Sequence, residues 1–171
     1  IFPEVYRRAT AGRPGVIQRP GFAWDSIVAD LEEHRGGASA YFHVVYDRDG
    51  RIDGYVTYRI KDGTLLVNEL MATSGEAHAA LWRFCFDVDL MSSTKAGRRP
   101  VDDSLWWMLA DPRRLRRSLR DDMWLRLVDV PTALAGRCDA QSGALVLKLR
   151  DPFCSWNEGC FELEGSTEGA E

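Results

Sequence analysis

The first apolar pattern in the chain has the period of a helix. Residues 22–33 carry one apolar face and therefore predict an amphipathic helix that packs by this face and ends at the glycine pair 36–37. A shorter helix is predicted before it at residues 3–10, because the Gly-Arg-Pro-Gly sequence at 12–15 stops a helix. The apolar face of the second helix consists of Trp24, Ile27, Val28 and Leu31.

Three segments with the two-residue alternation of strands follow, at residues 41–46, 52–60 and 64–72. Asp-Arg-Asp-Gly at 47–50 and Lys-Asp-Gly at 61–63 separate them. These sequences favour tight turns, because Gly accepts a positive φ and Asp hydrogen-bonds its own backbone. The pattern predicts an antiparallel meander, in which one face of the middle strand is more apolar than the other.

A long helix is predicted after the third strand. Thr73 and Glu76 have the spacing of a capping box, in which each side chain accepts a hydrogen bond from the backbone of the other. Two apolar stripes then follow the helical period, so we expect the helix to be covered on two sides. The first stripe is Ala77, Leu81, Phe84, Val88 and Met91, and the second is Trp82, Phe86 and Leu90.

Shorter elements are predicted over the rest of the chain. Aspartate before an apolar run, or before proline, is typical of a helix start. Residues 165–171 are small, polar and acidic, and they predict a flexible tail. The predicted elements are a strand at 92–98, a short helix after Asp102 and Asp103, a helix from Pro112, a strand at 124–130, a helix at 131–137, and strands at 144–149 and 160–163.

Composition places the chain among folded globular proteins, since 45% of its residues are apolar and 28% are charged. Its length fits one domain, or one domain and part of a second. No stretch approaches the roughly 20 apolar residues that span a bilayer, which excludes a membrane span, and we expect no membrane partner. The chain starts at Ile1 without an initiator Met or a secretory signal, so we expect a cytoplasmic protein and a sequence that is part of a longer one.

The formal net charge of −4 argues against general binding of polyanions such as nucleic acid. One run of arginines is dense enough to contact phosphates, but acidic residues flank it. We therefore expect a solvated, ion-paired face there and no nucleic-acid partner. The arginines are Arg113, Arg114, Arg116, Arg117 and Arg120, and the acids are Asp111, Asp121 and Asp122.

Cysteine and histidine spacing offers no catalytic or metal-binding motif. No two of the four cysteines have the CxxC spacing that presents two thiolates to one metal, so they are predicted to be reduced structural thiols, with Cys85 buried in a helix. The three histidines, His34, His43 and His78, are predicted to lie on the surface or in the core. Trp106 and Trp107 cannot both face inward on one helix, which favours an interface between subunits.

Several separated blocks resemble one family. Residues 54–59 (Gly-Tyr-Val-Thr-Tyr-Arg), 67–70 (Val-Asn-Glu-Leu) and 79–84 (Ala-Ala-Leu-Trp-Arg-Phe) resemble the middle domain of Eis-type acetyltransferases. Residues 121–134 resemble the segment that leads into the third domain of that family. The likeness covers residues 1–164, in the order of the family.

The resemblance implies an α+β fold with a GNAT-like, mixed and largely antiparallel sheet and flanking helices. In Eis-type enzymes an N-terminal GNAT domain binds acetyl-CoA, a degenerate GNAT domain follows, and a sterol-carrier-like domain ends the chain. Residues 1–128 then correspond to the degenerate middle GNAT-like domain, 129–164 to the first strands of the sterol-carrier-like domain, and 165–171 to a flexible tail.

The implied activity is transfer of an acetyl group from acetyl-CoA to amines, including those of aminoglycosides and lysines, in a homo-oligomeric full-length protein. We expect acetyl-CoA to bind outside this chain, because residues 73–78 hold one glycine and an acid where a working GNAT domain cradles the pyrophosphate. The region would then shape the acceptor pocket and the assembly. The alternative is a non-enzymatic GNAT-like module for binding or oligomerisation.

Two residues match acceptor-pocket positions of the family. Trp24 matches a tryptophan that lines the pocket, where an indole face suits a cation, while its place on an apolar helix face equally fits core packing. Asp121 matches an aspartate near that pocket, where it would pair with an amine, and the alternative is a partner for the nearby arginines. We predict both as substrate-binding residues, with no catalytic, cofactor or metal residue in this chain.

Overall fold

The computed structural model describes residues 1–170 and divides between Ser118 and Leu119 into two units. The first unit is built on a mixed sheet in which β1, β2 and β3 are antiparallel neighbours and β4 lies parallel to β3. This confirms the predicted meander and the predicted α+β class with a mixed, largely antiparallel sheet. The elements are α1 (Phe2–Thr10), α2 (Gly21–Ala29), β1 (Phe42–Arg48), β2 (Arg51–Lys61), β3 (Thr64–Ala72), α3 (Gly75–Asp87), β4 (Ser93–Ala96) and α4 (Leu105–Met108).

Local turn chemistry fixes the meander. Asp62 and Gly63 adopt positive φ values of 48° and 68° between β2 and β3. Between β1 and β2, the backbone N–H of Gly50 donates to the Asp47 carboxylate at 2.8 Å, and Gly50 has a φ of 83°. Both hairpins therefore close as predicted, because Gly pays no steric penalty at positive φ.

Helices cover both faces of the sheet, α3 on one side and α1 on the other. Gly54 in β2 approaches Leu81 of α3, while the neighbouring Tyr55 points to the opposite face and packs its ring 4.7 Å from that of Phe2 in α1. The second face of β2 is therefore buried although its residues are less apolar, and Tyr55 and Thr57 are 0% and 4% exposed. The core around α3 comprises Val56, Tyr58, Leu65, Val67, Leu70, Leu81, Trp82, Cys85 and Leu105.

The second helix is shorter and less buried than predicted. It ends at Ala29, where Asp30 takes a left-handed conformation with a φ of 44°. Trp24 is buried and Ile27 half-buried, but Val28 and Leu31 are 55% and 48% exposed. The prediction that the whole apolar face packs was wrong, since the helix is broken before its last apolar residue.

The start of α3 also differs from the predicted capping box. The cap is Ser74, whose side chain accepts a hydrogen bond from the backbone N–H of Ala77 at 3.2 Å. Thr73 instead donates to the backbone oxygen of Asp53 at 3.1 Å. The helix ends at Asp87, and the predicted second stripe is covered only at Trp82, which is buried, whereas Phe86 and Leu90 are 46% and 87% exposed.

The second unit contains an antiparallel pair of strands, and its helix is capped by Asp129, which accepts from the backbone N–H of Thr132 at 2.9 Å. The predicted strand at 124–130 is absent from the described residues, where 124–127 have no regular structure. Residues 166–170 turn back, with the N–H of Ser166 donating to the carbonyl of Gly169, and Glu171 lies outside the description. The elements are α5 (Val130–Ala135), β5 (Gly143–Leu149) and β6 (Gly159–Gly165).

The helix predicted from Pro112 is a single turn in the structure. Asp111 accepts from the backbone N–H of Arg113 at 3.2 Å, but the predicted helix after it is a 3₁₀ turn, Pro112–Arg114. Further 3₁₀ turns occur at Glu32–His34 and Ser155–Asn157. Within residues 1–170, no helix has the length and apolar character needed to cross a bilayer.

Candidate functional site

A cleft of about 530 Å³ opens on the first unit where the start of α1, the middle of α2 and the outer strand β1 meet. Its walls are mostly apolar, and Asp25 and His43 bring the only ionisable side chains among the residues that line it. The lining includes Phe2, Trp24, Asp25, Val28, His43 and Val45. A cleft with aromatic and aliphatic walls and one carboxylate suits a ligand that combines an apolar part with a positive charge.

Trp24 belongs to both the core and this cleft. The residue is 9% exposed, and its ring and that of Tyr6 meet edge to face with centroids 5.4 Å apart. The same residue lines the cleft. The two interpretations of Trp24 from sequence are therefore compatible, because a mostly buried indole presents one part of its surface to the cavity.

A half-buried ion pair lies behind Trp24. The guanidinium of Arg19 donates to the carboxylate of Glu69 through two nitrogens, at 2.6 and 3.1 Å, and its carbon lies 4.9 Å from the centre of the Trp24 ring. The Tyr55 hydroxyl donates to the same carboxylate at 2.5 Å. Burial and the charge of Glu69 raise the pKa of Tyr55, so the phenol stays protonated and remains a donor.

The opposite wall of the cleft is aromatic as well. Phe2 lies 5.2 Å from the ring of His43 and 4.7 Å from that of Tyr55. The sequence pattern indicates only Trp24 in this region, whereas Asp25, Phe2 and His43 are its neighbours in the cleft and carry no signal in the sequence. The contact between Phe2 in α1 and His43 in β1 is long-range in the sequence, and such a contact leaves no local pattern there.

The start of α3 does not fit a pyrophosphate. Such a group needs free consecutive backbone N–H groups at a helix N-terminus and positive potential. Here the Ser74 side chain occupies the N–H of Ala77, and the carboxylate of Glu76 stands in the first turn. Glu76 accepts from the Tyr46 hydroxyl at 2.8 Å and from Arg48 at 2.7 Å, which fixes the acid in place.

His78 has neighbours that its sequence position does not reveal. Its Nε2 lies 3.1 Å from Asp103, and its Nδ1 lies 3.5 Å from the Ser104 hydroxyl. The Trp82 indole N–H points at the same Nε2, at 3.2 Å. One ring nitrogen cannot donate to Asp103 and accept from Trp82 at once, and 3.5 Å is the limit of a hydrogen bond. We therefore assign this group a structural role, linking α3 to the residues before α4.

Asp103 is the anchor of that link. Burial opposes its charge, but contacts with His78, the backbone N–H of Leu105 and the Arg99 guanidinium outweigh burial and hold its pKa well below the usual range. The bond to Leu105 also starts α4, at 2.9 Å. A carboxylate in this position stays ionised at neutral pH and stabilises the fold.

The arginine run is solvated, as predicted, but it is not ion-paired. All five arginines are exposed, and within residues 1–170 none forms a salt bridge with Asp111, Asp121 or Asp122. Arg117 instead donates to the carbonyl of Val101 at 3.0 Å. Asp121 is exposed in a segment of the second unit without regular structure, so the arginine partnership suggested for it does not form.

The remaining candidates take structural positions. All four cysteines are free, and Cys85 is fully buried, which raises the pKa of its thiol to about 11. Among residues 1–170 no group of three or more His, Cys, Asp or Glu side chains is arranged to hold a metal ion. Trp107 is 84% exposed, whereas Trp106 is half-buried with Arg117 over its ring at 5.7 Å, so the two indoles do face different ways.

Comparison with known proteins gives consistent matches. Residues 15–127 match the model of an acetyltransferase (GNAT) domain. An uncharacterized N-acetyltransferase of Streptomyces avermitilis is 42% identical over 99% of this chain and 44% of its own length. The N-acetyltransferase Eis of Mycobacterium tuberculosis is 34% identical over 80% of this chain and 33% of its own length.

Solved structures agree with this. The crystal structure of Eis1 from Mycobacterium abscessus is 30% identical, with a TM-score of 0.73 over 99% of this chain and 43% of that one. A GCN5-related N-acetyltransferase from Anabaena variabilis shares the fold at 22% identity, with a TM-score of 0.75 over 99% of this chain and 44% of its own. The chain thus spans less than half the length of these relatives.

Proposed function

The chain belongs to the GNAT acetyltransferase family, and from this premise we propose that it is the middle domain of an Eis-like N-acetyltransferase, where it forms part of the pocket for the amine acceptor. Acetyl-CoA, the acetyl donor of GNAT enzymes, binds in this proposal to a domain outside the chain. The acceptors are amines of the aminoglycoside or lysine type.

The observation that carries the proposal is the cleft in which Trp24 forms one wall. Its indole is held by Tyr6 and Arg19, and Asp25 adds a carboxylate to the same lining. An ammonium group gains both a Coulombic partner and, at the ring face, a cation–π contact in such a setting. The mismatch between the start of α3 and a pyrophosphate supports the assignment of this domain to the acceptor.

Acetyl transfer to an amine removes a proton from nitrogen as the new amide bond forms, and the departing thiolate takes up a proton. Among the side chains that line the cleft, only those of His43 and Asp25 could accept or donate a proton. In our proposal the general base and the acid come from other parts of the full-length enzyme, and this domain binds and orients the acceptor.

The remaining assignments follow the Eis-like organisation. In this proposal residues 1–128 belong to the middle domain, of which 119–128 lie in the second compact unit, and 129–164 are the beginning of a sterol-carrier-like domain, followed by the short tail at 165–171. Asp121 keeps its proposed role as a carboxylate for an amine, supported by its exposure and by the absence of a salt bridge to it within residues 1–170.

The test is steady-state kinetics of the full-length enzyme with Trp24→Phe and Trp24→Ala. We expect the KM for the amine to rise about tenfold in the alanine variant and less in the phenylalanine variant, because a smaller or missing ring weakens a cation–π contact. The KM for acetyl-CoA stays unchanged. Trp82→Phe is the matched control, since Trp82 is 3% exposed and belongs to the core around α3.

Comparison of Trp24→Ala with Trp82→Phe separates an effect on acceptor binding from an effect on stability. Trp82→Phe should lower the melting temperature and leave both KM values unchanged. An unaltered amine KM in Trp24→Ala, or an equal rise in Trp82→Phe, would contradict the proposal, because the effect would then be absent or would come from general loosening of the fold.

A second candidate, a non-enzymatic module for assembly, is favoured by large exposed apolar side chains. Phe22 and Trp107 in the first unit are 76% and 84% exposed, and Trp124 in the second is 86% exposed. Exposed aromatic residues are enriched at protein interfaces. Sedimentation of the full-length protein tests it: a defined homo-oligomer that has no acetyltransferase activity would favour the module over the enzyme.

A further inference from the structure

We infer that Arg19, fixed by Glu69, is a positioning residue that sets the orientation of Trp24 in the acceptor cleft. The inference rests on the proposed function, since it gives a role in acceptor binding to two residues that do not line the cleft. Arg19 lies in the loop between α1 and α2, and Glu69 lies in β3, 50 positions away along the chain.

Arg19 is held on three sides. Its guanidinium carbon lies 4.1 Å from the centre of the Tyr6 ring and 4.9 Å from that of Trp24, while its nitrogens donate to Glu69. Tyr6 and Trp24 meet at an interplanar angle of 80°. A planar cation between two rings that are nearly perpendicular restrains both of them, because each ring attracts the guanidinium along its own face.

Glu69 reaches the other wall of the cleft too. Its carboxylate accepts from the Tyr55 hydroxyl at 2.5 Å, and the Tyr55 ring packs against Phe2, which lines the cleft. One carboxylate therefore anchors the Trp24 wall through Arg19 and the Phe2 wall through Tyr55. The side chains of Arg19 and Glu69 are 25% and 12% exposed, so solvent screens this pair weakly.

The shape of the arginine matters as well as its charge. A guanidinium donates to a carboxylate through two nitrogens and stacks on a ring at the same time, whereas the ammonium of lysine is a point charge without a plane. Replacement by lysine should therefore preserve the charge but release the indole. This distinguishes a positioning role from a simple electrostatic contribution to stability.

The test uses Arg19→Lys and Glu69→Gln in the full-length enzyme, with Arg99→Lys as the matched control. Arg99 forms the same kind of pair with Asp103, at 2.8 Å, with side chains 20% and 11% exposed, and lies over Trp82 at 5.6 Å. We expect Arg19→Lys and Glu69→Gln to raise the KM for the amine about tenfold and to leave the KM for acetyl-CoA unchanged. Arg99→Lys should lower the melting temperature by about as much as Arg19→Lys does, and it should change neither KM.

A spectroscopic readout reports on the indole itself. The near-ultraviolet circular dichroism of Trp24 is obtained as the difference between each protein and the same protein carrying Trp24→Phe. This signal should lose amplitude in Arg19→Lys and persist in Arg99→Lys. An unchanged Trp24 signal together with an unchanged amine KM in Arg19→Lys would overturn the inference.

The outcomes also separate this inference from the proposed function. If Trp24→Ala raises the amine KM but Arg19→Lys does not, the cleft binds the acceptor and the positioning role of Arg19 is wrong. If neither variant changes the amine KM, the proposed function fails as well. A loss of Trp24 dichroism in Arg19→Lys, with an unchanged amine KM in both Arg19→Lys and Trp24→Ala, would show that Arg19 orients an indole that acceptor binding does not use, and would overturn the inference together with the proposed function.

Discussion

Gly54 shows at the scale of one residue how tightly the sheet and α3 approach each other. A Cβ atom at this position would lie 2.8 Å from the Leu81 side chain and 3.0 Å from the carbonyl of Met71. Real side chains avoid such distances, and the Met71 carbonyl belongs to the neighbouring strand and cannot move without loss of sheet hydrogen bonds. The close packing of β2 under α3 therefore depends on the missing side chain.

Gly54→Ala should lower the free energy of unfolding by about 1–3 kcal/mol, which is the usual cost of overpacking a core. Urea unfolding measures it. The control is Gly75→Ala, since a Cβ on Gly75 has no other atom within 4 Å. Equal stability of Gly54→Ala and the parent protein would show that α3 moves away from the sheet at no cost.

Asp103 predicts a dependence of stability on pH. Because its pKa is lower in the folded protein than in the unfolded chain, its charge stabilises the fold above the unfolded value of about 3.9, and this contribution disappears as the pH falls through the folded value. Asp103→Asn should therefore cost about 2–3 kcal/mol at pH 7, with the difference from the parent shrinking below about pH 4.

Urea unfolding at several pH values between neutral and acidic conditions checks this difference. The exposed Asp122→Asn serves as control and should change the stability at pH 7 by less than about 0.5 kcal/mol. A difference for Asp103→Asn that stays constant down to pH 3 would contradict the assignment of the low pKa to this carboxylate.

Sequence could identify Trp24 but not the residues that hold it. Trp24 stands out because a tryptophan at the centre of an apolar helix face is expected either to pack in the core or to contact a ligand. The family resemblance also assigned it to the acceptor pocket. Arg19 lies in the loop between α1 and α2, and its partner Glu69 lies 50 positions further along in a strand. Only the fold brings them together, so no local pattern reveals the pair.

At the scale of elements, the parts specified by local chemistry were predictable. The hairpin turns followed from Asp and Gly at defined positions, and the bounds of β3, Thr64–Ala72, agree with the predicted 64–72. The predicted strand at 124–130 was wrong because a strand needs a hydrogen-bonding neighbour, which periodicity does not reveal. The predicted cap at Thr73 was wrong because Thr73 finds a tertiary partner in Asp53.

The corrected cap gives a test on α3. Ser74→Ala should destabilise the protein by about 1 kcal/mol, because the N–H of Ala77 loses its acceptor. The control is Ser26→Ala, in the exposed part of α2, which should be neutral or slightly stabilising since alanine has the higher helix propensity. Thermal unfolding compares the two, and a neutral Ser74→Ala would contradict the assigned cap.

At the scale of the whole molecule, the family and the sheet architecture follow from sequence and structure together, whereas the division of labour with the rest of the enzyme remains our proposal. The chain accounts for 44% of the length of its Streptomyces avermitilis relative. Its GNAT-like sheet is complete enough to form a core and a cleft, but the helix start that would cradle a pyrophosphate carries a serine cap and an acid. A domain with this combination fits the acceptor side of the reaction.

Isothermal titration calorimetry with acetyl-CoA tests this central claim most directly, with the 171-residue chain and the full-length protein side by side. We predict saturable binding to the full-length protein and no saturable heat from the chain up to a ligand concentration of about 1 mM. Saturable micromolar binding to the chain would contradict the account, because acetyl-CoA would then occupy this domain and the cleft at Trp24 would belong to a complete acetyltransferase.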